Sequence, residues 1–252
     1  MSRWHAAAFA GPARYDGRPR ADGAHCHRKR MHSFFVTGTD TGAGKTFASS
    51  SLLYALRGRG LRAVGMKPVA SGCERTVDGW RNEDALALLA ASDPRPAYAD
   101  LNPYALPAPL APEIAAREAG VVLALPPIVD AFQRLRAQAD VVVVEGVGGW
   151  AAPLSASLDQ VDLVRALRLP VVLVVGMRLG CLNHARLTAR AIRADGAELI
   201  GWIASEVDPE MARRDENFEL LKARIDAPCW GRLMHAAPVD PAVGAGRLVL
   251  PG

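Results

Sequence analysis

The sequence predicts a three-layer α/β fold, a mostly parallel β-sheet with helices on both faces. Three observations predict it. Short runs that are nearly solid Val, Leu and Ile alternate with helix-length segments, and strands buried on both faces carry such runs. The first run feeds a Gly/Thr-rich loop that passes straight into a helix, an arrangement suited to phosphate. Polar residues follow several of the runs, at the strand ends where open parallel sheets collect ligands.

Taken in order, residues 34–37 form the first expected strand, and residues 44–57 the helix after the loop, stopped at Gly58. Residues 61–68 form the second strand. Asn82 is the expected N-cap of a helix over 83–91, and the proline-rich stretch 94–112 reads as connection. A helix over 128–138 leads into a strand at 141–144. Strands at 171–175 and 199–203 flank a helix over 183–194. No internal repeat is evident.

With 252 residues, half of them hydrophobic, the chain can bury one substantial core. The longest apolar run, residues 169–176, falls far short of the roughly 20 residues that cross a bilayer. A soluble, cytoplasmic protein is expected. The pI of about 9.1 reflects a local excess of charge. Residues 1–30 hold seven Lys/Arg against Asp16 and Asp22, leaving 23 of the 30 basic and 24 of the 26 acidic residues to the rest. A near-neutral remainder offers no broad phosphate-neutralising face, so neither nucleic acid nor membrane is expected as a partner. Residues 1–31 read as a basic, disordered extension or as sequence preceding a start at Met31, and residues 32–252 as a single domain. An Arg-rich, acid-poor segment also fits an organelle transit peptide. Cys26, Cys73, Cys181 and Cys229 lie far apart with no CxxC pair, which points to a reducing compartment. His25-Cys26-His27 with His32 lacks a second ligand pair at zinc spacing.

The loop Gly38-Thr39-Asp40-Thr41-Gly42-Ala43-Gly44-Lys45-Thr46 carries the clearest chemistry. Its glycines let backbone N–H groups face phosphate oxygens. Lys45 reaches the β/γ-phosphates, and Thr46 can hold Mg²⁺. Five residues separate Gly38 from Gly44, one more than the usual spacing. Glu145, after the run 141–144 and before Gly146, Gly148 and Gly149, suits a second Mg²⁺ ligand. Asp84 by itself reads equally as a complement to the helix dipole, and Lys67 as a solvated strand-end lysine.

The segments GTDTGAGKT, MKPVASG, RNEDALAL, VVEGVGGW and VVGMRLGCLNHARLTA, in this order and spacing, resemble the dethiobiotin synthetase family over residues 32–240. That resemblance implies a P-loop NTPase-type fold and an ATP-dependent cyclo-ligase of biotin biosynthesis. It implies Thr46, Asp84 and Glu145 as Mg²⁺ ligands, and Gly42, Ala43, Gly44, Lys45 and Thr46 as the phosphate loop. It implies Lys67 and Lys45 as the lysines that support the reacting carbamate and phosphate. Gly148 and Ser205 fall at nucleotide-side positions, and Thr41 and Ser71 at substrate-side positions. Leu182 and Asn183 match a segment that meets the substrate carboxylate across a homodimer interface. The implied partners are 7,8-diaminopelargonate, CO₂ or bicarbonate, and a nucleoside triphosphate. No nucleophilic Ser or Cys is needed, so Cys181 reads as a packed thiol.

Two departures fall on the base pocket. Ser205-Glu206 stands where the family often has Asn-Asp, and Ser lacks the paired donor and acceptor of an amide. Met234-His235-Ala236 replaces a Pro-Trp-Leu-like stretch. Retained triphosphate chemistry with loosened base selectivity is therefore expected. The alternative, a MinD/ParA-like switch ATPase, needs a signature lysine where this chain has Asp40. A cobyrinate-type amidotransferase needs a further glutaminase domain.

Overall fold

Six parallel strands form the central layer, and their order fixes where a ligand can sit. The structure, a computed structural model, describes residues 33–235 and 240–251. The basic extension, the His/Cys group at residues 25–32 and Ala236 lie outside the described residues. The chain runs through β1 (Phe34–Gly38) and the Gly/Thr loop into α1 (Lys45–Gly58), then β2 (Ala63–Met66) and β3 (Val69–Ser71). A hairpin of β4 (Glu74–Thr76) and β5 (Gly79–Arg81) precedes α2 (Glu83–Ala91). There follow α3 (Tyr98–Leu101), β6 (Tyr104–Leu106), α4 (Pro112–Glu118), α5 (Leu125–Gln138) and β7 (Val141–Gly149). Short β8 (Pro153–Ser155) and β9 (Leu158–Asp159) lead to α6 (Gln160–Leu167), β10 (Val171–Met177) and α7 (Cys181–Ala194). The chain then forms β11 (Leu199–Glu206), α8 (Arg214–Arg224), β12 (Cys229–Leu233) and α9 (Pro241–Ala245).

The sheet order is β12-β11-β10-β1-β7-β2, with every pairing parallel. The chain leaves β1 for one edge and later crosses to the other side, so β1 stands where the winding reverses. Ligand crevices open there, beyond the carboxyl ends of the strands.

Alternation along each strand sorts the apolar residues into two cores. Phe35, Val64, Val142, Val144, Leu173 and Val175 meet Phe132, Leu163, Ala185 and Ile192 on one face. Phe34, Val36, Val141, Val143, Val172 and Val174 meet Leu52, Leu53, Leu56, Leu88 and Trp230 on the other. Both faces are covered, which is why the runs read as solid rather than alternating. Among the described residues no helix is long and apolar enough to cross a membrane.

The strands expected over 34–37, 141–144, 171–175 and 199–203 are present and extend by one to five residues, and the helix expected over 44–57 is shifted by one, ending on Gly58 itself. Asn82 caps α2, accepting from the Ala85 amide at 3.2 Å. The helix expected at 128–138 begins at Leu125, because Pro126 and Pro127 occupy its first turn, where a missing N–H costs nothing. The helix expected at 183–194 begins at Cys181.

Two expectations are corrected. The strand expected over 61–68 shrinks to β2, which stops before Lys67-Pro68, and β3, beyond that range, pairs with β6 in a separate small sheet. The stretch 94–112 is more than connection, since it holds α3, β6 and the start of α4. Both corrections concern elements of three or four residues, too short to show a period.

Gly65 on β2 lies beneath α2, where an added methyl would sit 2.8 Å from Leu88 Cβ and 3.2 Å from Leu53 Cδ1. Gly65→Ala is expected to lower the unfolding free energy by about 1–3 kcal/mol, measured by urea titration. A variant as stable as the wild type contradicts this packing.

Candidate functional site

The site grows from the turn between β1 and α1. Gly44 adopts φ 84° directly before the helix, a left-handed conformation that suits glycine. A Cβ there would also lie 2.2 Å from Ser205 Oγ. Steric room and backbone angle therefore both require glycine at this position. Ala43 is fully buried beside Gly176, while Gly42, Gly44, Lys45 and Thr46 line an open cleft of about 940 Å³.

Three elements bring charge to the floor of that cleft. Lys67, between β2 and β3, is 3% exposed, and its Nζ donates to Glu145 Oε1 at 2.6 Å and Asp84 Oδ2 at 2.8 Å. It also reaches the Gly146 carbonyl at 3.3 Å. Glu145, on β7, is fully buried. Asp84 comes from the first turn of α2. The Thr46 hydroxyl lies 2.6 Å from Asp84 Oδ1 and 2.9 Å from Glu145 Oε1. A hydroxyl has one proton to give, so Thr46 donates to only one of these two carboxylates.

The electrostatics follow from these contacts. Burial pulls the Lys67 ammonium down, but Glu145 and Asp84 outweigh burial and hold it above the ordinary lysine value. Burial pushes Asp84 up, yet Lys67 and the hydrogen bonds from Lys67 and Thr46 hold it below the ordinary carboxylate value. Lys45 is lowered to about 8, chiefly by burial and then by the nearby Lys67 charge. Its Nζ donates to the Asp40 carbonyl at 3.0 Å.

A divalent cation fits this donor set. Glu145 Oε2 is buried with no hydrogen-bond partner, a costly state that a cation would relieve. Thr46, Asp84 and Glu145 offer hard oxygen donors of the kind Mg²⁺ takes alongside phosphate and water. Among the described residues no group of three or more His, Cys, Asp or Glu could hold a metal by itself.

The walls of the cleft include residues that the sequence did not single out. Pro109, Leu110, Ala111 and Pro112 line it along with Ser71 and Ala70, as do Val147, Gly149, Ala152 and Pro153 along with Gly148 and Thr41. Asn82 lines the cleft too, and its side chain donates to the Ser71 carbonyl at 3.3 Å while capping the helix that carries Asp84. Asn102 donates to the Lys67 carbonyl at 2.7 Å and, through its Oδ1, accepts from Tyr98. Tyr98 in turn accepts from the Asn82 amide at 2.9 Å. The proline pattern of 94–112 was the one available signal, since a proline-rich segment makes a stiff wall. Trp150 Nε1 donates to Asp195 Oδ2 at 2.7 Å and anchors the far end of the glycine segment. Arg178 pairs with Asp40 at 2.5 Å, tying the segment before α7 to the phosphate loop.

Five predicted residues lie outside the cleft lining, two of them, Ala43 and Glu145, because they are fully buried. Leu182 and Asn183 sit in the first turn of α7, half-buried and exposed respectively. Ser205 is 3% exposed, with its hydroxyl turned toward Gly44. Cys181 is buried, and burial pushes its thiol up.

A glycine loop before a helix, with lysine and threonine at the helix start and carboxylates on neighbouring elements, defines a P-loop nucleotide-binding protein. Residues 32–243 match a family described as an AAA domain. The ATP-dependent dethiobiotin synthetase BioD of Xanthomonas oryzae pv. oryzae (strain PXO99A) is 70% identical over 219 residues, covering 87% of this chain and 98% of that protein. The protein of the same name from Xylella fastidiosa (strain 9a5c) is 67% identical over 219 residues, covering 86% and 97%. The chain belongs to the dethiobiotin synthetase family. Among solved structures, the signal recognition particle receptor FtsY from Elizabethkingia anophelis in complex with GDP matches with a TM-score of 0.45. It is 16% identical, covering 92% of this chain and 62% of that one; this likeness is too slight to build on.

Removing one partner of a buried pair leaves a charge without compensation, at about 3–5 kcal/mol. Lys67→Met is therefore expected to lower unfolding free energy by that order, measured by denaturant titration without nucleotide. An unchanged midpoint contradicts the pairing of Lys67 with Glu145.

Proposed function

We propose that this chain is a dethiobiotin synthetase that uses ATP and CO₂ to close a ureido ring on 7,8-diaminopelargonate. The observation that carries the reading is the convergence of Lys67, Thr46, Asp84 and Glu145 beside the phosphate loop. One amine of the substrate combines with CO₂ to form a carbamate. A carbamate oxygen attacks the γ-phosphorus of ATP, ADP leaves, and a carbamic–phosphoric anhydride results. The second amine then attacks the carbonyl carbon and expels phosphate, closing the five-membered ring.

Each residue has a task in this sequence. The backbone amides of Gly42, Ala43 and Gly44 bind phosphate oxygens. Lys45, withdrawn from the Asp40 carbonyl, meets the transferring phosphoryl group. Lys67 supports the carbamate and the charge that builds as it attacks. Thr46, Asp84 and Glu145 would hold Mg²⁺, which supplies compensation for the charge on the β- and γ-phosphates. Gly148, Thr41 and Ser71 shape the nucleotide and diamine sides. Positioning two amines, CO₂ and a triphosphate in one cleft provides much of the remaining acceleration.

The homodimer belongs to this proposal. Leu179 is 94% exposed and Leu187 54% exposed beside Leu182 and Asn183, and an exposed apolar face suits a partner. A second chain would then bring its own Leu182 and Asn183 toward the substrate carboxylate. Cytoplasmic localisation, and residues 32–252 as a single ligase domain, complete the reading.

Base selectivity is a separate matter. Ser205 faces the phosphate loop, and the Glu206 carboxylate accepts from Arg214 at 2.8 Å and Arg232 at 2.6 Å. Glu206 is thus already engaged by two arginines, Ser205 offers a single small hydroxyl rather than an amide edge, and Met234 is 42% exposed. Loosened discrimination among nucleotides is the expected result.

Diaminopelargonate with bicarbonate is expected to stimulate phosphate release from MgATP, and Lys67→Ala to abolish that turnover. ATPase activity indifferent to the diamine, and stimulated by membranes or DNA, favours a switch ATPase. In steady-state competition CTP, GTP and UTP should support turnover within about tenfold of ATP, a difference of about 1.4 kcal/mol. A preference for ATP by orders of magnitude contradicts the loosened pocket.

A further inference from the structure

We propose that Gln160 is a positioning residue that holds the glycine turn of residues 146–149 against Lys67 and so sets how the diamine seats. The proposal rests on the ligase reading above. Gln160 opens α6, is 1% exposed and lies outside every motif that identifies the family. Its Oε1 accepts from the Val147 amide at 2.8 Å, and its Nε2 donates to the Gly149 carbonyl at 2.8 Å. The same Nε2 reaches Thr37 Oγ1 at 3.5 Å, on the strand that feeds the phosphate loop. One buried amide therefore grips both sides of the turn.

The grip reaches the reacting groups. A Cβ on Gly146 would lie 2.4 Å from Gln160 Oε1 and 2.7 Å from Phe35 Cζ, so turn and amide are in close contact. Gly146 supplies a carbonyl to Lys67 Nζ, and Gly148 and Gly149 form one wall of the cleft. A shift of the turn would move an acceptor of the lysine and that wall together. The phosphate loop touches the turn where Gly38 pairs with Gly149, but it has its own anchors on β10 and beyond. Thr39 donates to the Val174 carbonyl at 2.9 Å and accepts from the Gly176 amide at 3.2 Å, and Asp40 pairs with Arg178. Helix initiation does not need this side chain, because Asp159 and Asp162 already form a capping box.

The test compares Gln160→Met and Gln160→Glu with wild type. Met keeps the volume but leaves the Val147 amide without a partner, at about 1–3 kcal/mol, and the Gly149 carbonyl with only the longer bond from the Ala152 amide at 3.3 Å. Glu keeps the acceptor for Val147 and loses the donor to Gly149. Initial rates with diamine and MgATP varied separately should show Gln160→Met with diamine KM raised and kcat lowered, each about tenfold. Gln160→Glu should shift in the same direction by less. MgATP affinity, measured by tryptophan fluorescence without diamine, should stay within about threefold. Constants within twofold of wild type in both variants overturn the proposal, as does equal weakening of diamine and MgATP. Should Gln160→Met not fold, Gln160→Glu decides by the same criteria; failure of both to fold assigns the residue to stability and overturns the proposal. A wild type that does not turn over the diamine contradicts the reaction assignment instead, which separates the two failures.

Discussion

A lysine ammonium sealed against a buried carboxylate is expensive to build, because both charges leave water and their attraction must offset that loss. Lys67 and Glu145 meet at 2.6 Å with exposures of 3% and 0%, and this pair organises the surroundings. It joins the end of β2 to β7, draws Asp84 in from α2, and brings Thr46 from α1 to the same point. Asn102 and Asn82 then hold the backbone on either side of Lys67 and the cap of α2. The helices and strands that form the two cores also set the reach of each charged side chain.

The charge balance of this cluster explains its chemistry. Lys45 and Lys67 match Asp84 and Glu145 in number, so the protein alone offers no surplus for a triphosphate. A divalent cation on Thr46, Asp84 and Glu145 would supply that surplus and give the partnerless Glu145 Oε2 something to bind. In the proposed reaction Lys67 would then be free to turn toward a carbamate. Lys45, held low by burial and by Lys67, regains an anionic neighbour when phosphate arrives. Substrate and protein complete each other's electrostatics, which suits a reaction that gathers several anions at one place.

Much of the fold was legible because strands buried on both faces leave little room for polar residues. The runs at 141–144 and 171–175 announced themselves, and Gly38 to Thr46 announced the phosphate loop. β3, α3 and β6 did not, since three or four residues carry no period and prolines dominate their surroundings. Lys67 was legible as functional through family resemblance alone. Before a proline at a strand end it looks solvated, and its burial depends on partners 17 and 78 residues away in sequence. Gln160 carried no signal, because a polar residue at a helix start usually faces solvent. Ser205 was legible as a departure, but its turn toward Gly44 became visible only when β11 was laid beside β10.

The cleft beside the phosphate loop is thus built from strongly constrained residues, whereas the proposed base side depends on a buried serine and an acid already held by two arginines. The central claim is that the Lys67–Glu145 cluster serves transfer of phosphate to a carbamate rather than to water. The origin of the oxygen in released phosphate tests this most directly. With ¹⁸O-labelled bicarbonate, sampled in the first turnovers before exchange with solvent, each ring closure should deliver one labelled oxygen to phosphate. Phosphate that takes its new oxygen from water instead would mean hydrolysis and contradict the account.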